Sequence, residues 1–277
     1  MKFPVRVRSN IEYAKQIPLK RKIITTADGS KTIQLPDWNE QYHSVHGAVQ
    51  ESYHVFIANG LAHIQSDSIS ILEIGFGTGL NALITYLEAK KSKTDIQYTG
   101  VEAFPVLEEE WGELDYAYRL RARALDKGAH PDGNSLVDDA TALLGNPSPS
   151  NKDSVAFYEA LESLDDIFIR IHEIPWEAPT AISEDFILQK QQKDFFKIED
   201  ESLYDLVYFD AFGARVQPEL WTEILFRKMY LAMKKDGILT TYSAKGSVRR
   251  AMQAVGFTVE RLPGPPGKRE MLRAHKT

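Results

Sequence analysis

A glycine-rich segment is the part of this sequence whose residue spacing best suits chemistry. Residues 71–80 read ILEIGFGTGL, so an apolar stretch leads through three alternating glycines into a predicted helix. Glycine lacks a Cβ atom, which permits a tight turn and the close approach of a ligand, and a helix start offers free N–H groups. The segment therefore predicts a nucleotide-cofactor loop, although glycines at a strand end can also serve a turn alone.

The glycine spacing distinguishes two cofactor classes. A dinucleotide loop has the spacing G-x-G-x-x-G, whereas here the third glycine comes one residue earlier and an acid precedes the first by two residues. This form resembles the first motif of class I S-adenosylmethionine (SAM) methyltransferases. The resemblance implies SAM as cofactor and the following contacts to it: Glu73, Gly75, Phe76, Gly77, Thr78, Gly79 and Asn81.

Two more acids end predicted strands. Glu102 closes strand 96–102, where a carboxylate can accept hydrogen bonds from ribose hydroxyls, and we expect Glu102 and its neighbour Ala103 to contact the cofactor. Asp210 closes strand 206–210 at the edge where open α/β sheets bind ligands. Asp210 is therefore a candidate for the reacting centre and the cofactor site, although it can also simply cap a loop or helix.

Alternating strands and helices must position these residues. The final helix, 247–255, leads into two strands, 257–262 and 269–274, joined by a Pro/Gly-rich loop. This ending is typical of the class I SAM-dependent methyltransferase fold, a Rossmann-like doubly wound α/β sheet whose last strand is antiparallel. The preceding predicted elements are strands 70–73, 96–102, 206–210 and 237–242 and helices 79–91, 105–125 and 218–233.

Two regions depart from this alternation. Residues 1–60 are expected to form an N-terminal extension with a hairpin around Asp28 and Gly29, and residues 61–277 the methyltransferase domain. Within that domain, residues 128–180 are expected to be an insertion that contains a helix at 155–164 and a strand at 167–173.

Composition excludes several classes of protein. The 277 residues contain no cysteine, which excludes disulfides, thiolate metal sites and cysteine nucleophiles. Of the seven histidines, His43 and His46 are three residues apart, but no carboxylate pattern accompanies them, so no metal is expected. No apolar run approaches the ~18 residues of a membrane span, and no signal peptide is evident, so we expect a cytoplasmic protein with no membrane partner.

Charge is unevenly distributed along the chain. The net charge is −6, but residues 1–35 carry eight Lys/Arg against two Asp/Glu, and residues 227–277 carry twelve against three. Because phosphate contact depends on local potential, both ends together can bind a polyanion. A solvated basic face with no partner is the alternative.

Several segments together resemble the methyltransferase part of the MnmC family of bacterial enzymes, which modify the wobble uridine of tRNA. In the order of that family, the segments are residues 51–57, 73–81, 101–105, 210–221, 247–250 and 267–272. The resemblance implies methylation of 5-aminomethyl(-2-thio)uridine to 5-methylaminomethyl(-2-thio)uridine. A second glycine fingerprint for FAD is missing, and the chain stops where the family continues into an oxidase. We therefore expect the stand-alone form, supplied with aminomethyl precursor by a separate enzyme.

The same resemblance implies roles for individual residues. Asp210 is expected to be catalytic, mainly by orienting the amine, since an aspartate with an ordinary pKa near 4 is a weak base. The basic residues Arg249, Arg250, Lys268 and Arg269 are expected to bind tRNA phosphates, while Phe212 or Trp221 stacks on the extruded base. The alternatives are a solvated helix face for the two arginines, a fold-closing hairpin for Lys268 and Arg269, and core or lid positions for the aromatics.

One family feature is absent. A Gly-Asp pair upstream of the Asp210 strand, whose acid is expected to hold the adenine amino group, is replaced by residues 188–194, LQKQQKD. Gln191 or Gln192 can accept the same hydrogen bond through its amide oxygen, or Asp194 can substitute after a shift.

Three other functions are compatible with these motifs. A small-molecule amine N-methyltransferase differs only in the acceptor, and a spermidine synthase-like aminopropyltransferase shares the fold but has no use for basic ends. A non-enzymatic RNA-binding protein with a SAM-type fold would not need Glu102 or Asp210.

Overall fold

A mixed sheet of eight strands forms the centre of the protein in a computed structural model, which describes residues 20–129 and 152–277. In chain order the strands are β4 (Ser68–Ile74), β5 (Asp95–Glu102), β6 (Thr180–Ser183), β7 (Phe186–Gln192), β8 (Tyr204–Phe209), β9 (Met233–Thr241), β10 (Thr258–Pro263) and β11 (Glu270–His275). Across the sheet they lie in the order β10-β11-β9-β8-β4-β5-β7-β6.

The strand directions confirm the predicted fold class. β4 is parallel to both β5 and β8, β5 is parallel to β7, and β8 is parallel to β9. β11 lies antiparallel between β9 and β10. The last strand therefore enters the sheet in the reverse direction, as the strand-loop-strand ending predicts for the class I methyltransferase fold.

Helices cover both faces of the sheet, and this explains the apolar strands. Along β4, Ile71 packs in one apolar core and its neighbour Leu72 in the other, because successive side chains of a strand point to opposite faces. The helices are α1 (Ala48–Ser52), α2 (Leu80–Ser92), α3 (Glu108–Trp111), α4 (Tyr116–Ala129), α5 (Lys152–Glu162), α6 (Leu164–Glu173), α7 (Glu223–Ala232) and α8 (Gly246–Ala254). No helix in the two described ranges is both long and apolar enough to cross a membrane.

The N-terminal extension contains the predicted hairpin. β1 (Lys22–Thr25) pairs antiparallel with β2 (Lys31–Leu35), and β3 (Glu40–Gln41) adds a third short strand. After α1 the chain continues as a π-helical turn at Tyr53–Ala58. Its Phe56 ring lies 4.9 Å from the ring of Tyr208 in the central sheet, so the extension shares the core of the main domain.

The prediction of a strand at 167–173 is wrong, because these residues belong to the helix α6. Ile167 is buried while Ile169 is 41% exposed, so the two do not share one face as they would in a strand. Leu164, Phe168 and Ile171 are buried at helical spacing. The helix predicted at 155–164 overlaps α5, and the remainder of the predicted insertion at 130–151 lies outside the described residues.

Candidate active site

A cavity of about 630 Å³ lies at the carboxyl ends of the parallel strands. Ile74 of β4 pairs with Val101 of β5 and with Phe209 of β8, so the three strands end side by side. The residues that follow each strand, among them Gly75 and Asp210, therefore meet at one edge of the sheet and line the cavity. Its volume lies within the usual range for a pocket that encloses a small ligand.

The glycine loop is packed closely against both neighbouring strands. Gly75 has a φ of +89°, and a Cβ atom there would lie 2.7 Å from the backbone oxygen of Asp210. The backbone N–H groups of Gly75 and Phe76 both donate to the Val101 carbonyl at 3.0 Å. A side chain at position 75 would thus clash with the β8 edge, which explains why the first glycine is needed there.

Thr78 of the loop is held by two residues that the sequence did not reveal. His43 Nε2 and Thr78 Oγ1 are 2.8 Å apart, and the Tyr116 hydroxyl donates to the same oxygen at 3.3 Å. Burial lowers the pKa of His43 to about 4, so its ring is neutral at physiological pH. His43 and Tyr116 lie 35 and 38 residues from Thr78 in the chain, so only their residue types, and not their spacing, could have marked them as candidates.

Glu102 is the last residue of β5 and lines the cavity. Its Oε2 accepts from the Gly77 N–H at 3.1 Å, and its Oε1 accepts from the Phe104 N–H at 2.9 Å. Burial raises the pKa of Glu102, while these backbone hydrogen bonds and the Arg21 guanidinium oppose the rise. A carboxylate has about four acceptor positions, and the Ala103 N–H also bonds to Glu102, so at least one position remains for a ligand hydroxyl.

A single amide connects the acid of β4, Glu73, with the acid that follows β8, Asp210. Asn81 Nδ2 donates to Glu73 Oε1 and to Asp210 Oδ2, each at 2.8 Å. Tyr98 also donates its hydroxyl to Glu73 at 2.8 Å, and Glu73 is fully buried. Burial raises the pKa of Glu73 well above its usual range. Glu73 is therefore placed beneath the loop as a support, while Asn81 and Asp210 face the cavity.

Asp210 has an altered acidity. Burial raises its pKa to about 7, and the nearby Glu51 carboxylate adds to the rise, whereas the Asn81 hydrogen bond and the Lys268 ammonium lower the pKa. A carboxylate with a pKa near neutrality can exchange a proton with a ligand at physiological pH. The expectation that Asp210 mainly orients the amine assumed an ordinary aspartate pKa near 4. In this site the pKa of Asp210 is raised, so that assumption does not hold.

The two aromatic candidates lie in different places. Phe212 lines the cavity, where its ring meets Tyr42 and Trp38 edge-on at centroid distances of 5.0 and 5.8 Å. Trp221 is only 4% exposed; its ring packs on Phe209, and its indole N–H donates to the Phe212 carbonyl at 2.8 Å. Trp221 thus occupies a core position that fixes the Phe212 loop.

The residues considered for the adenine end lie on and just after β7. Gln192 pairs in register with Glu102 and lines the cavity, as does Asp194. The Asp194 side chain accepts from the Phe196 N–H at 2.9 Å and so caps the short turn that follows. Gln191 does not line the cavity.

The four basic candidates separate into two groups. Lys268 lies inside the cavity lining, where its ammonium pairs with Glu51 and sits 3.9 Å from the ring centroid of Tyr242. Arg250 on α8 and Arg269 after the last loop are exposed, and Arg249 is half-buried. Glu51 and Tyr242 are further residues that were not predicted as part of the site, although Glu51 begins one of the family-like segments.

The donor set of the site suits an organic cofactor. Within residues 20–129 and 152–277, no cluster of three or more His, Asp or Glu side chains is arranged to hold a metal ion. The close glycine turn at Gly75 and the remaining acceptor capacity of Glu102 fit the nucleoside and amino-acid parts of SAM, because neither needs a phosphate-binding group.

Comparisons with known proteins identify relatives of this chain. Residues 178–277 match a family model described as S-adenosyl-L-methionine-dependent methyltransferase. Two relatives are the tRNA 5-methylaminomethyl-2-thiouridine biosynthesis bifunctional proteins MnmC of Idiomarina loihiensis and Burkholderia multivorans. The first is 29% identical over 86% of this chain, and the second is 26% identical over 87% of this chain. The chain spans 36% and 33% of their length.

A solved structure supports the fold assignment. The crystal structure of MNMC2 from Aquifex aeolicus aligns over 94% of this chain and 71% of its own, with a TM-score of 0.61 and 22% sequence identity. At this identity the similarity establishes a shared fold only, so any argument about the reaction has to come from the residues of the site.

Proposed function

We propose that this chain, an S-adenosyl-L-methionine-dependent methyltransferase related to the methyltransferase part of MnmC, methylates the 5-aminomethyl group of (2-thio)uridine at the wobble position of tRNA. The product is 5-methylaminomethyl(-2-thio)uridine. The observation that carries the proposal is the position of Asp210 in the cavity of the glycine loop, with a pKa raised to about 7.

The chain's own residues divide the cavity into a cofactor part and an acceptor part. SAM supplies an electrophilic methyl group on its sulfonium. Glu102 and Ala103 are proposed to hold the ribose, and Gln192 or Asp194 the adenine. The glycine-loop residues proposed to hold the methionine part are Gly75, Phe76, Gly77, Thr78 and Asn81, which line the cavity. Gly79 was expected among them but packs against His172 and Ile171 of α6 and does not line the cavity. These residues fix the cofactor so that alignment provides most of the rate.

Asp210 is proposed to bind the acceptor amine and to take one of its protons. An alkylammonium has a pKa near 10.4, so the amine arrives mostly protonated and must lose a proton before its lone pair can react. A carboxylate with a pKa of about 7 holds a proton about a thousandfold more tightly than one with a pKa near 4. The hydrogen bond from Asn81 leaves the second Asp210 oxygen for the amine.

The substrate is proposed to dock on exposed basic residues near the cavity. Arg250 and Arg269 are exposed, and together with Arg249 they are suited to phosphate contacts that fix orientation without reading sequence. Phe212 is proposed to stack on the extruded base from the cavity wall. The basic N-terminal residues before Lys20 lie outside the described part of the chain.

We further infer two conditions for the reaction. A separate enzyme must supply the primary amine, because methyl transfer to nitrogen cannot itself create the aminomethyl group. The reaction belongs in the cytoplasm, where tRNA is modified.

One assay tests the proposal against its alternatives. The protein is incubated with methyl-labelled SAM and tRNA from cells that lack the final methylation, and the digested nucleosides are identified by mass. We expect label in 5-methylaminomethyl(-2-thio)uridine. Label in a small amine would support the N-methyltransferase alternative, and tRNA binding with no transfer would support the RNA-binding protein. Aminopropyl transfer to a diamine, when decarboxylated SAM is supplied in place of SAM, would support the aminopropyltransferase.

A further inference from the structure

The Lys268 side chain occupies an unusual position for a residue expected to bind phosphates. Its ammonium is paired with the Glu51 carboxylate and lies over the Tyr242 ring at 3.9 Å from the centroid. Glu51 is only 7% exposed, and all three residues line the cavity that Asp210 faces. The ammonium is thus held at the cavity wall by Glu51 and Tyr242, although the Lys268 side chain as a whole is 32% exposed.

The N-terminal extension fixes the loop that carries Lys268. Gly267 has a φ of +82°, and a Cβ atom there would lie 2.1 Å from the His46 ring, so this ring packs directly on the loop backbone. At the start of the loop, His54 Nε2 lies 2.8 Å from the Pro263 carbonyl oxygen. With Glu51, the extension therefore contacts the loop at three points, and Lys268 is held in place before any ligand binds.

The surroundings of Lys268 leave part of its hydrogen-bonding capacity for a ligand. An ammonium has three N–H donors. Glu51 Oε1 accepts one, and the face of Tyr242 attracts the charge. Among the residues that the structure describes, no other hydrogen-bond acceptor of the Lys268 ammonium is found. The other Glu51 oxygen is engaged by the Ser44 N–H at 2.7 Å, which keeps the carboxylate in place.

We propose that Lys268 is a positioning and specificity residue of the acceptor site, where it donates a hydrogen bond to a carbonyl oxygen adjacent to the amine that Asp210 binds. The inference rests on the proposed function and deepens it. In a 5-substituted uracil the C4 carbonyl neighbours the aminomethyl carbon, so one base can contact Lys268 and Asp210 together. A cytosine presents an amino group at that position. This group is a hydrogen-bond donor, and an ammonium has no acceptor for it.

The positive charge of Lys268 also favours the reactive, unprotonated form of the acceptor amine. A cation near the amine disfavours the protonated form of that amine and so favours the form with a free lone pair. Glu51 moderates this effect but also anchors the ammonium, which makes Glu51 a positioning residue that acts through Lys268.

Two adjacent basic residues provide a matched test. Lys268→Met and Arg269→Met are compared for kcat at saturating tRNA and for tRNA affinity at several salt concentrations. If Lys268 contacts the base, Lys268→Met lowers kcat by about 10- to 100-fold and leaves the salt dependence of tRNA binding unchanged. Arg269→Met instead weakens binding and reduces the slope of log K against log salt by about 1, as loss of a phosphate contact does.

Two further variants separate positioning from folding. Lys268→Arg keeps a donor and should recover part of the lost kcat, and Glu51→Gln should lower kcat with little change in the salt slope. SAM affinity, measured by calorimetry, reports whether each variant remains folded. A Lys268→Met protein with unchanged kcat and a reduced salt slope overturns this inference alone, whereas a wild-type protein that methylates no tRNA overturns both the inference and the proposed function.

Discussion

Asn81 and Asp210 are 129 residues apart in the chain, yet the Asn81 amide donates to the Asp210 carboxylate at 2.8 Å. The same nitrogen donates to the buried Glu73, so one side chain bridges the two acidic groups. Asn81 is therefore a structural link between the glycine loop and the proposed reacting group, and its amide limits how far the pKa of Asp210 rises.

Replacement of Asn81 by alanine should make the enzyme more sensitive to acid. The Asn81 hydrogen bond lowers the pKa of Asp210, so its loss raises that pKa further above about 7 and leaves less carboxylate at neutral pH. We expect kcat/KM at pH 7 to fall by about tenfold and the acid limb of the pH profile to move to higher pH. Asn59→Ala is the control, since Asn59 donates to the His54 carbonyl outside the cavity. An unchanged acid limb would argue against this link.

Replacement of Asp210 by alanine should abolish turnover while SAM still binds. Without the carboxylate, the acceptor amine loses both its orientation and its proton acceptor, and we expect kcat to fall by about 10²- to 10⁴-fold. Calorimetry should show SAM affinity within about threefold of the wild type, because the other cofactor contacts remain. Unchanged methylation by this variant would remove Asp210 from the mechanism.

Much of the site could be predicted because it follows from local sequence. An apolar strand that runs into glycines defines its own end, and parallel strands of one sheet end at the same edge, so Glu102 and Asp210 were expected near the glycine loop. β4 pairs parallel with both β5 and β8, which brings the ends of the three strands together.

The remainder depended on contacts that local patterns do not encode. His43 reaches Thr78 only because the N-terminal extension folds onto the sheet, and Glu51 meets Lys268 across 217 residues. The raised pKa of Asp210 likewise depends on burial, which no spacing of residues reveals. A strand was expected in the segment that forms α6, whereas Phe168 and Ile171 are buried at helical spacing in the core, and this packing favours a helix.

Replacement of Glu102 by alanine should weaken cofactor binding more than catalysis. The change removes the proposed ribose contact and leaves the Gly77 and Phe104 N–H groups without their acceptor. We expect the Kd for SAM to rise by about 10- to 100-fold, while kcat at saturating SAM changes less. Calorimetric titration with SAM checks this, with the exposed Glu109→Ala on α3 as control. Equal affinity of both variants would exclude Glu102 as a ribose ligand.

Replacement of His43 by glutamine should make the fold less sensitive to acid. Burial lowers the pKa of His43 to about 4, whereas the unfolded chain has an ordinary value near 6.5. As pH falls from 6.5 toward 4, the unfolded state takes up a proton that the folded state does not, so stability is lost in this window. Denaturant unfolding at pH 7 and pH 4.5 should show a loss that is smaller in His43→Gln by up to about 3 kcal/mol. Identical losses would mean that His43 is not held neutral by the fold.

Replacement of Arg250 by alanine should weaken tRNA binding without changing the chemical step. Arg250 is exposed on α8, and loss of one phosphate contact should raise the Kd for tRNA several-fold at low salt and reduce the slope of log K against log salt by about 1. The control is Lys235→Ala: Lys235 is also exposed, but it lies near the start of β9, which is parallel to β8 and therefore begins at the sheet edge opposite the cavity. Filter binding over a range of salt concentrations distinguishes the two variants. If both reduce the slope equally, the basic residues act through net charge rather than a defined docking surface; if neither does, α8 is a solvated face that tRNA does not touch.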